Sequence, residues 1–220
     1  MKILCISGSP REKQSNTFKL MEETLNEIKL QFKDSEAECI HLSDKDIRYC
    51  IGCGLCHRNL LQCPIKDDVS NILQKMLECD VIMFASPVYI NSVSAQLKTL
   101  LDRSSPFIHC QMLLGKYGAA FATSGGGPHV MVLDYLEDYM ISCGVQYVGG
   151  VSGPMSEFSA LREKANALGG QIAEAVREGK KFPDQLATME VRRRFFKDAI
   201  SSRKEQWAGE YGYWKEKGWL

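Results

Sequence analysis

At 220 residues, with 45% hydrophobic and 25% charged side chains, the chain is long enough for one α/β domain with an appendage and short for two ordinary domains. Its 27 basic and 27 acidic residues cancel to a formal charge of zero, so no global field holds a polyanion or an anionic lipid surface, and neither nucleic acid nor a membrane is expected as a partner. The opening apolar run from Ile3 to Ile6 is too short for a signal peptide, no later run approaches a membrane span, and nine cysteines without a secretion signal place the expected chain in a reducing cytoplasm.

Lys2 to Ser7 reads as a short apolar strand, broken by Gly8-Ser9-Pro10-Arg11 before Ser15-Asn16-Thr17 opens a helix. Phe18, Met21, Leu25, Ile28 and Phe32 recur at steps of three and four and share one face of that helix. A strand, a turn rich in Gly and Ser and a helix N-terminus form a geometry that cradles phosphate, because backbone N–H groups and the positive end of the helix dipole point at the anion. Ser9, Ser15, Asn16 and Thr17 add hydroxyl or amide donors, and Arg11 a guanidinium. The turn is neither a Walker A loop nor a G-x-G-x-x-G fingerprint. An ordinary strand-to-helix turn capped by Ser15 or Asn16 is the structural alternative.

Ala37 to Leu42 reads as a second strand, and Ser43 to Arg48 leads into a cysteine-rich loop. Cys50, Cys53, Cys56 and Cys63 fall in the spacing C-x2-C-x2-C-x6-C-P, which suits one metal centre. Thiolates at i, i+3 and i+6 converge if the loop curls, and Gly52 and Gly54 permit the curl. The nearest pattern is the C-x2-C-x2-C-x3-C-P run of bacterial ferredoxins, which has a shorter last spacer. On spacing alone a [4Fe-4S] cluster, a four-thiolate zinc ion and free thiols on a lid-like loop all stay open. Cys5, Cys39, Cys79, Cys110 and Cys143 lie in apolar or helical contexts and read as small buried hydrophobes.

Asp67 is a candidate cap for the next helix, whose buried face is Val69, Ile72, Leu73, Met76 and Leu77. Asp80 to Ala85 is a buried parallel strand ended by Ser86-Pro87-Val88-Tyr89-Ile90-Asn91-Ser92. A helix through Leu97, Leu100 and Leu101 reaches Asp102-Arg103, and Ser105-Pro106 is expected to stop it. Tyr117 to Thr123 is the fourth strand, running into Ser124-Gly125-Gly126-Gly127-Pro128. A helix from Val130 to about Cys143, a strand near Val145 to Val151 and a helix from about Ser159 to Arg177 follow. Five strand–helix alternations predict an α/β fold with a doubly wound, five-stranded parallel sheet. Ligands of such sheets sit at the carboxyl ends of the strands, where the strand order reverses. The loops at 8–17, 86–92 and 123–127 and the cysteine loop are therefore expected on one rim, forming a cofactor site.

Lys180-Lys181-Phe182-Pro183 breaks the fifth helix, and Glu190 to Trp207 reads as a charged helix with Val191, Phe195, Ile200 and Trp207 among its apolar positions. The aromatic stretch from Tyr211 to Leu220 must pack on its own domain or on a second subunit. Arg192-Arg193-Arg194 is expected to be a solvated helix face. The expected division is a domain over 1–178, carrying the cysteine-rich insertion at 49–64, and a C-terminal helical and aromatic extension over 179–220.

With these loops in place, the chain resembles the flavodoxin-like, NAD(P)H-dependent FMN reductase superfamily. Gly8-Ser9-Pro10-Arg11 with Ser15-Asn16-Thr17 matches the family's FMN-phosphate loop, and Ser86-Pro87-Val88-Tyr89 with Ser94-Ala95-Gln96-Leu97-Lys98 and Asp102-Arg103 matches the loop and helix beside the isoalloxazine. The compact cysteine run resembles that of the iron-sulfur flavoproteins. The resemblance implies one FMN and one [4Fe-4S] cluster per subunit and assembly as a homodimer or homotetramer. FMN-binding positions are then Ser9, Arg11, Ser15, Asn16, Thr17, Pro87, Val88, Tyr89, Ile90, Asn91, Thr123, Ser124, Gly125 and Gly126, with Cys50, Cys53, Cys56 and Cys63 as cluster ligands. No side chain is an obvious general acid or nucleophile, so the chemistry belongs to the flavin; Tyr89 and His129 lie in loops that can touch its ring. The expected function is an FMN-dependent oxidoreductase taking electrons from NAD(P)H or ferredoxin and passing them to a small-molecule or protein partner. A cluster-free NAD(P)H-dependent reductase whose cysteine loop is a lid or a zinc site, and a non-catalytic electron carrier, are the alternatives.

Overall fold

Strands β1 (Lys2–Ser7), β2 (Glu36–His41), β3 (Val81–Pro87), β4 (Tyr117–Ser124) and β5 (Gln146–Pro154) form one sheet in the order β2-β1-β3-β4-β5, in a computed structural model that describes residues 1–220. Every neighbouring pair is parallel. This is the doubly wound flavodoxin-like order, and the reversal of direction between β1 and β3 opens a crevice at their carboxyl ends.

Side-chain alternation along the strands divides the core in two. Ile3, Cys5, Val81, Met83, Ala85 and Phe121 face α1 (Asn16–Gln31) and a long helix over Phe158–Glu178, while Leu4, Ile6, Ile82, Phe84 and Ala122 face the other helical layer. β3 and β4 are buried almost throughout, as central parallel strands covered on both faces must be. Ser15 caps α1, its side chain accepting from the Phe18 amide.

After β2 come the short helix α2 (Leu55–Arg58), inside the cysteine loop, and α3 (Val69–Glu78). Asp68, not Asp67, is the N-cap residue of α3, and it makes no side-chain cap. The Asp67 carboxylate does reach the Val69 amide, but its main partner is the Arg103 guanidinium. Helix α4 (Ala95–Asp102) follows β3, and Ser105-Pro106 starts α5 (Ser105–His109) instead of merely ending α4. Proline tolerates the first turn of a helix, where its missing N–H has no intrahelical partner anyway.

Helices α6 (His129–Ser142) and α7 (Phe158–Glu178) complete the layers, Gly179 ending α7 in the left-handed region at φ +60°. The charged helix expected over Glu190 to Trp207 begins seven residues earlier and ends sooner, as α8 (Pro183–Ser202), and is followed by α9 (Ala208–Glu216). Val191 and Phe195 are exposed, whereas Met189 and Ile200 are buried. Of the arginine run, Arg194 is solvated as expected, with a side chain 78% exposed, but Arg192 and Arg193 are not. Arg192 bonds Asp138 and Ser142 of α6, and Arg193 bonds Gln111 and lies 4.5 Å over the Trp219 ring. Trp214 is fully buried against Cys110 and Ile200, its indole N–H donating to the His109 carbonyl at 3.1 Å. No helix is long and apolar enough to cross a membrane.

Candidate cofactor sites

The crevice beside β1 and β3 holds a cavity of about 250 Å³ lined by Ser9, Arg11, Ser15, Asn16, Thr17, Pro87, Val88, Tyr89, Thr123, Ser124, Gly125 and Met155. The loop after β1 contains a single 3₁₀ turn over Glu12–Gln14 and presents three buried hydroxyls, on Ser9, Ser15 and Thr17. Thr17 and Thr123 share a hydroxyl–hydroxyl hydrogen bond that ties the phosphate-type loop to the end of β4. Gly8 permits the close packing behind this loop. A Cβ there would stand 2.5 Å from Ser94 Oγ and 2.8 Å from Leu97 Cβ.

The loop after β3 is pinned at both ends. The Val88 amide donates to the Thr123 carbonyl at 2.9 Å, and the Ser94 amide donates to Ser86 Oγ at 2.9 Å. Between them Tyr89 and Ser92 exchange backbone hydrogen bonds around Ile90 and Asn91, whose φ values are +46° and +60°. Asparagine tolerates that region, but a β-branched isoleucine there is strained. Ile90 projects into solvent and does not line the cavity; Asn91 and Gly126 also stand outside its wall. Met155 is the lining residue that the motif did not reveal, because it belongs to a short 3₁₀ turn after β5 whose arrival depends on the sheet closing. His129 turns away, its Nδ1 hydrogen-bonded to Ser152 Oγ at 3.0 Å.

All four clustered cysteines line a second cavity, of about 200 Å³, with Gly52, Gly54, His57, Asp102, Arg103 and Ser105 among the other residues around it. Gly52 and Gly54 adopt φ values of +66° and +70°, the left-handed curl for which glycine is suited. The Gly52 amide donates to Cys50 Sγ at 3.4 Å, and Arg103 Nη2 to Cys63 Sγ at 3.3 Å. The set of three His, Cys, Asp or Glu side chains whose ligand atoms lie within 4.8 Å of one another is His57, His109 and Glu210, and it contains none of these sulfurs. Four thiols on one short loop are a donor set that either a [4Fe-4S] cluster or a zinc ion takes. The two cavities share no lining residue, and α4 runs between them. Arg103, matched by motif to the flavin side, turns to the cysteine side.

Sequence reasoning missed the group that closes over this loop. Glu210 of α9 is fully buried and accepts from His57 Nδ1 at 2.6 Å and His109 Nδ1 at 3.1 Å, while the Trp207 ring lies 5.0 Å from both imidazoles. Hydrogen bonds to Cys56 and to Glu210 raise the His57 imidazole to about 10. Burial pushes the Glu210 carboxyl up, but the bonds from His109 and His57 outweigh it and leave the carboxyl below its usual value. Gly209 brings α9 against the loop backbone: a Cβ there would lie 2.6 Å from the Leu60 nitrogen and 2.9 Å from the Arg58 oxygen.

Residues 1–160 match the family model described as NADPH-dependent FMN reductase. An iron-sulfur flavoprotein of Archaeoglobus fulgidus is 33% identical over the full length of both chains. An iron-sulfur flavoprotein of Methanocaldococcus jannaschii is 39% identical across 82% of this chain and 100% of its own. Among solved structures, an apo NADH:FMN oxidoreductase superposes with a TM-score of 0.59 at 28% identity, covering 79% of this chain and 89% of that one. An archaeal flavodoxin, at 18% identity and a TM-score of 0.52 over 80% of this chain and 99% of its own, shares the fold.

Proposed function

Since the chain belongs to the NADPH-dependent FMN reductase family and is an FMN-dependent oxidoreductase, we propose that FMN occupies the cavity at the β1/β3 crevice and that the cysteine loop carries a [4Fe-4S] cluster. The observation that supports this most is the convergence of three loops, distant in sequence, on one cavity with buried hydroxyls at a helix N-terminus. Ser9, Ser15, Asn16 and Thr17, the backbone amides of residues 10–17 and the N-terminus of α1 would hold the phosphate, with Arg11 adding charge from the exposed side. Pro87, Val88, Tyr89 and the Thr123–Gly125 segment would border the ring, and Met155 would give it an apolar contact. Ile90 and Asn91 shape the turn that carries Tyr89, and Gly126 the turn after β4.

FMN would supply hydride and single-electron exchange there, and a cluster on Cys50, Cys53, Cys56 and Cys63 would supply one-electron transfer. The chain's residues bind, orient and shield these groups. NAD(P)H is the proposed donor, in keeping with the family's description, with ferredoxin as the other donor class; the acceptor is a small molecule or a protein. We also propose a cytoplasmic homodimer or homotetramer. Exposed Tyr49, Ile51, Ile90, Val130 and Met131, all in or beside the loops at the sheet's carboxyl edge, supply apolar surface for a subunit contact.

Anaerobic purification followed by flavin, iron and acid-labile sulfide analysis tests the assignment. One FMN and four irons with four sulfides per chain are expected. Absence of flavin after FMN addition overturns the first site, and zinc without sulfide overturns the second. Steady-state NADH and NADPH oxidation with a quinone or ferricyanide then tests the donor, and a chain that oxidises neither overturns that assignment.

A further inference from the structure

The Arg103–Asp67 pair is not explained by flavin binding or by packing alone. Both side chains are buried, at 1% and 0% exposure, and a buried ion pair is by itself weak support for stability because both charges lose their hydration. Arg103 Nη1 donates to Asp67 Oδ2 at 2.6 Å and to the Arg48 carbonyl at 2.7 Å, while Nη2 donates to Asp67 Oδ1 at 3.0 Å and to Cys63 Sγ at 3.3 Å. Asp67 accepts the Arg48 amide at 3.0 Å with its Oδ2. Every acceptor of this one guanidinium lies in residues 48–67. Arg48 enters the cysteine loop, while Cys63 and Asp67 leave it.

We propose that Arg103 is a positioning residue of the cysteine loop, stapling its entrance to its exit and setting the charge beside the Cys63 sulfur. The proposal rests on the [4Fe-4S] reading given above. Arginine suits the task, since its fork matches a carboxylate in two places at once and leaves an N–H for the sulfur, and its charge is permanent. A cation donating to a ligand sulfur stabilises the more negative, reduced state of a thiolate-bound cluster, so its loss lowers the potential. Asp67 opposes this field only partly, because the carboxylate sits on the guanidinium while the guanidinium contacts the sulfur itself. Arg103 C-caps α4, and α4 follows directly from the flavin-side loop. The eight residues of α4, rising ~1.5 Å each, make a strut of roughly 12 Å between the two sites.

Three proteins test the proposal: the wild type, R103K, and the double variant R103Q/D67N, which removes the charge without leaving Asp67 buried and unpaired. Each is purified anaerobically. FMN and iron content, the midpoint potential of the cluster and the rate of protease cleavage within residues 49–64 are measured. With FMN and iron retained, the double variant should show a more negative potential and roughly tenfold faster loop cleavage, as expected when buried charge-assisted hydrogen bonds are lost. R103K should keep a potential close to wild type while cleaving faster than wild type. An unchanged potential and cleavage rate in the double variant at full iron content overturns the role of Arg103 and leaves the cluster assignment standing. R103K shifting the potential as far as the double variant overturns the charge argument. A wild type without sulfide overturns the cluster assignment, and with it the potential-setting role; cleavage rates then decide the staple.

Discussion

Glu210 has no exposure, yet it is an acid. A buried carboxylate without partners would protonate or unfold its surroundings, so the two imidazole N–H donors that reach it are the condition for its being there. Its folded carboxyl lies below its usual value. At acidic pH the unfolded chain therefore binds more protons at this position than the folded one, and the stabilisation, present above about 4.5, is lost as pH falls through the folded value. Glu210→Gln should flatten the fall of Tm below pH 5 relative to wild type; parallel curves would remove Glu210 from the account. Ile90 carries the opposite kind of cost, a β-branched residue at φ +46° with its side chain in solvent. Ile90→Asn relieves a conformation worth ~1 kcal/mol and should raise the Tm of the FMN-free chain by about 2–4 °C. No rise in calorimetry would show that the turn is unstrained.

Helix α9 provides a test of clash against propensity within one element. Glycine costs a helix interior about 1 kcal/mol relative to alanine, so replacing it is ordinarily stabilising. At Gly212 a Cβ meets nothing within 4 Å, whereas at Gly209 it meets the backbone of Leu60 and Arg58. Gly212→Ala should raise Tm by about 2–4 °C, and Gly209→Ala should lower it, since overpacking costs about 1–3 kcal/mol. The same sign for both substitutions in thermal denaturation would mean that α9 does not bear on the loop. This contact also marks the boundary of what the sequence discloses. α1 was readable from Ser15 and a run of apolar residues, and α3 from its own apolar period, because local spacing dictates which face is buried. The start of α8 carried a local signal, a proline in the first turn, whereas the direction of Arg103 and the partners of Glu210 depend on residues tens to hundreds of positions away, and no local period encodes them.

Across the whole molecule, alternating strands and helices announced a doubly wound parallel sheet, and its order β2-β1-β3-β4-β5 places three loops at one crevice. That is why the flavin-side cavity was largely legible, while Met155, which arrives by way of β5, was not. The distribution of burial gives an expected order of backbone protection. Amides of β1, β3 and β4, buried in the sheet centre, should exchange most slowly, and those of residues 49–54, with exposed Cys50, Ile51 and Cys53, among the fastest. Hydrogen exchange read by mass spectrometry checks this, and protection of 49–54 equal to that of β3 would contradict the observed burial.

The pairing of His57 with Glu210 has a temporal side. The two residues are 153 positions apart, and at synthesis rates of roughly 5–20 residues per second the ribosome makes the cysteine loop about 8–30 s before it makes the helix that closes over it. For that interval the four thiols stand uncovered on a growing chain, and delivery of iron and sulfide would meet an open loop. Once α9 docks through Gly209, the His57 side of the loop is covered by a buried acid, two histidines and a tryptophan, while Cys50 and Cys53 stay exposed.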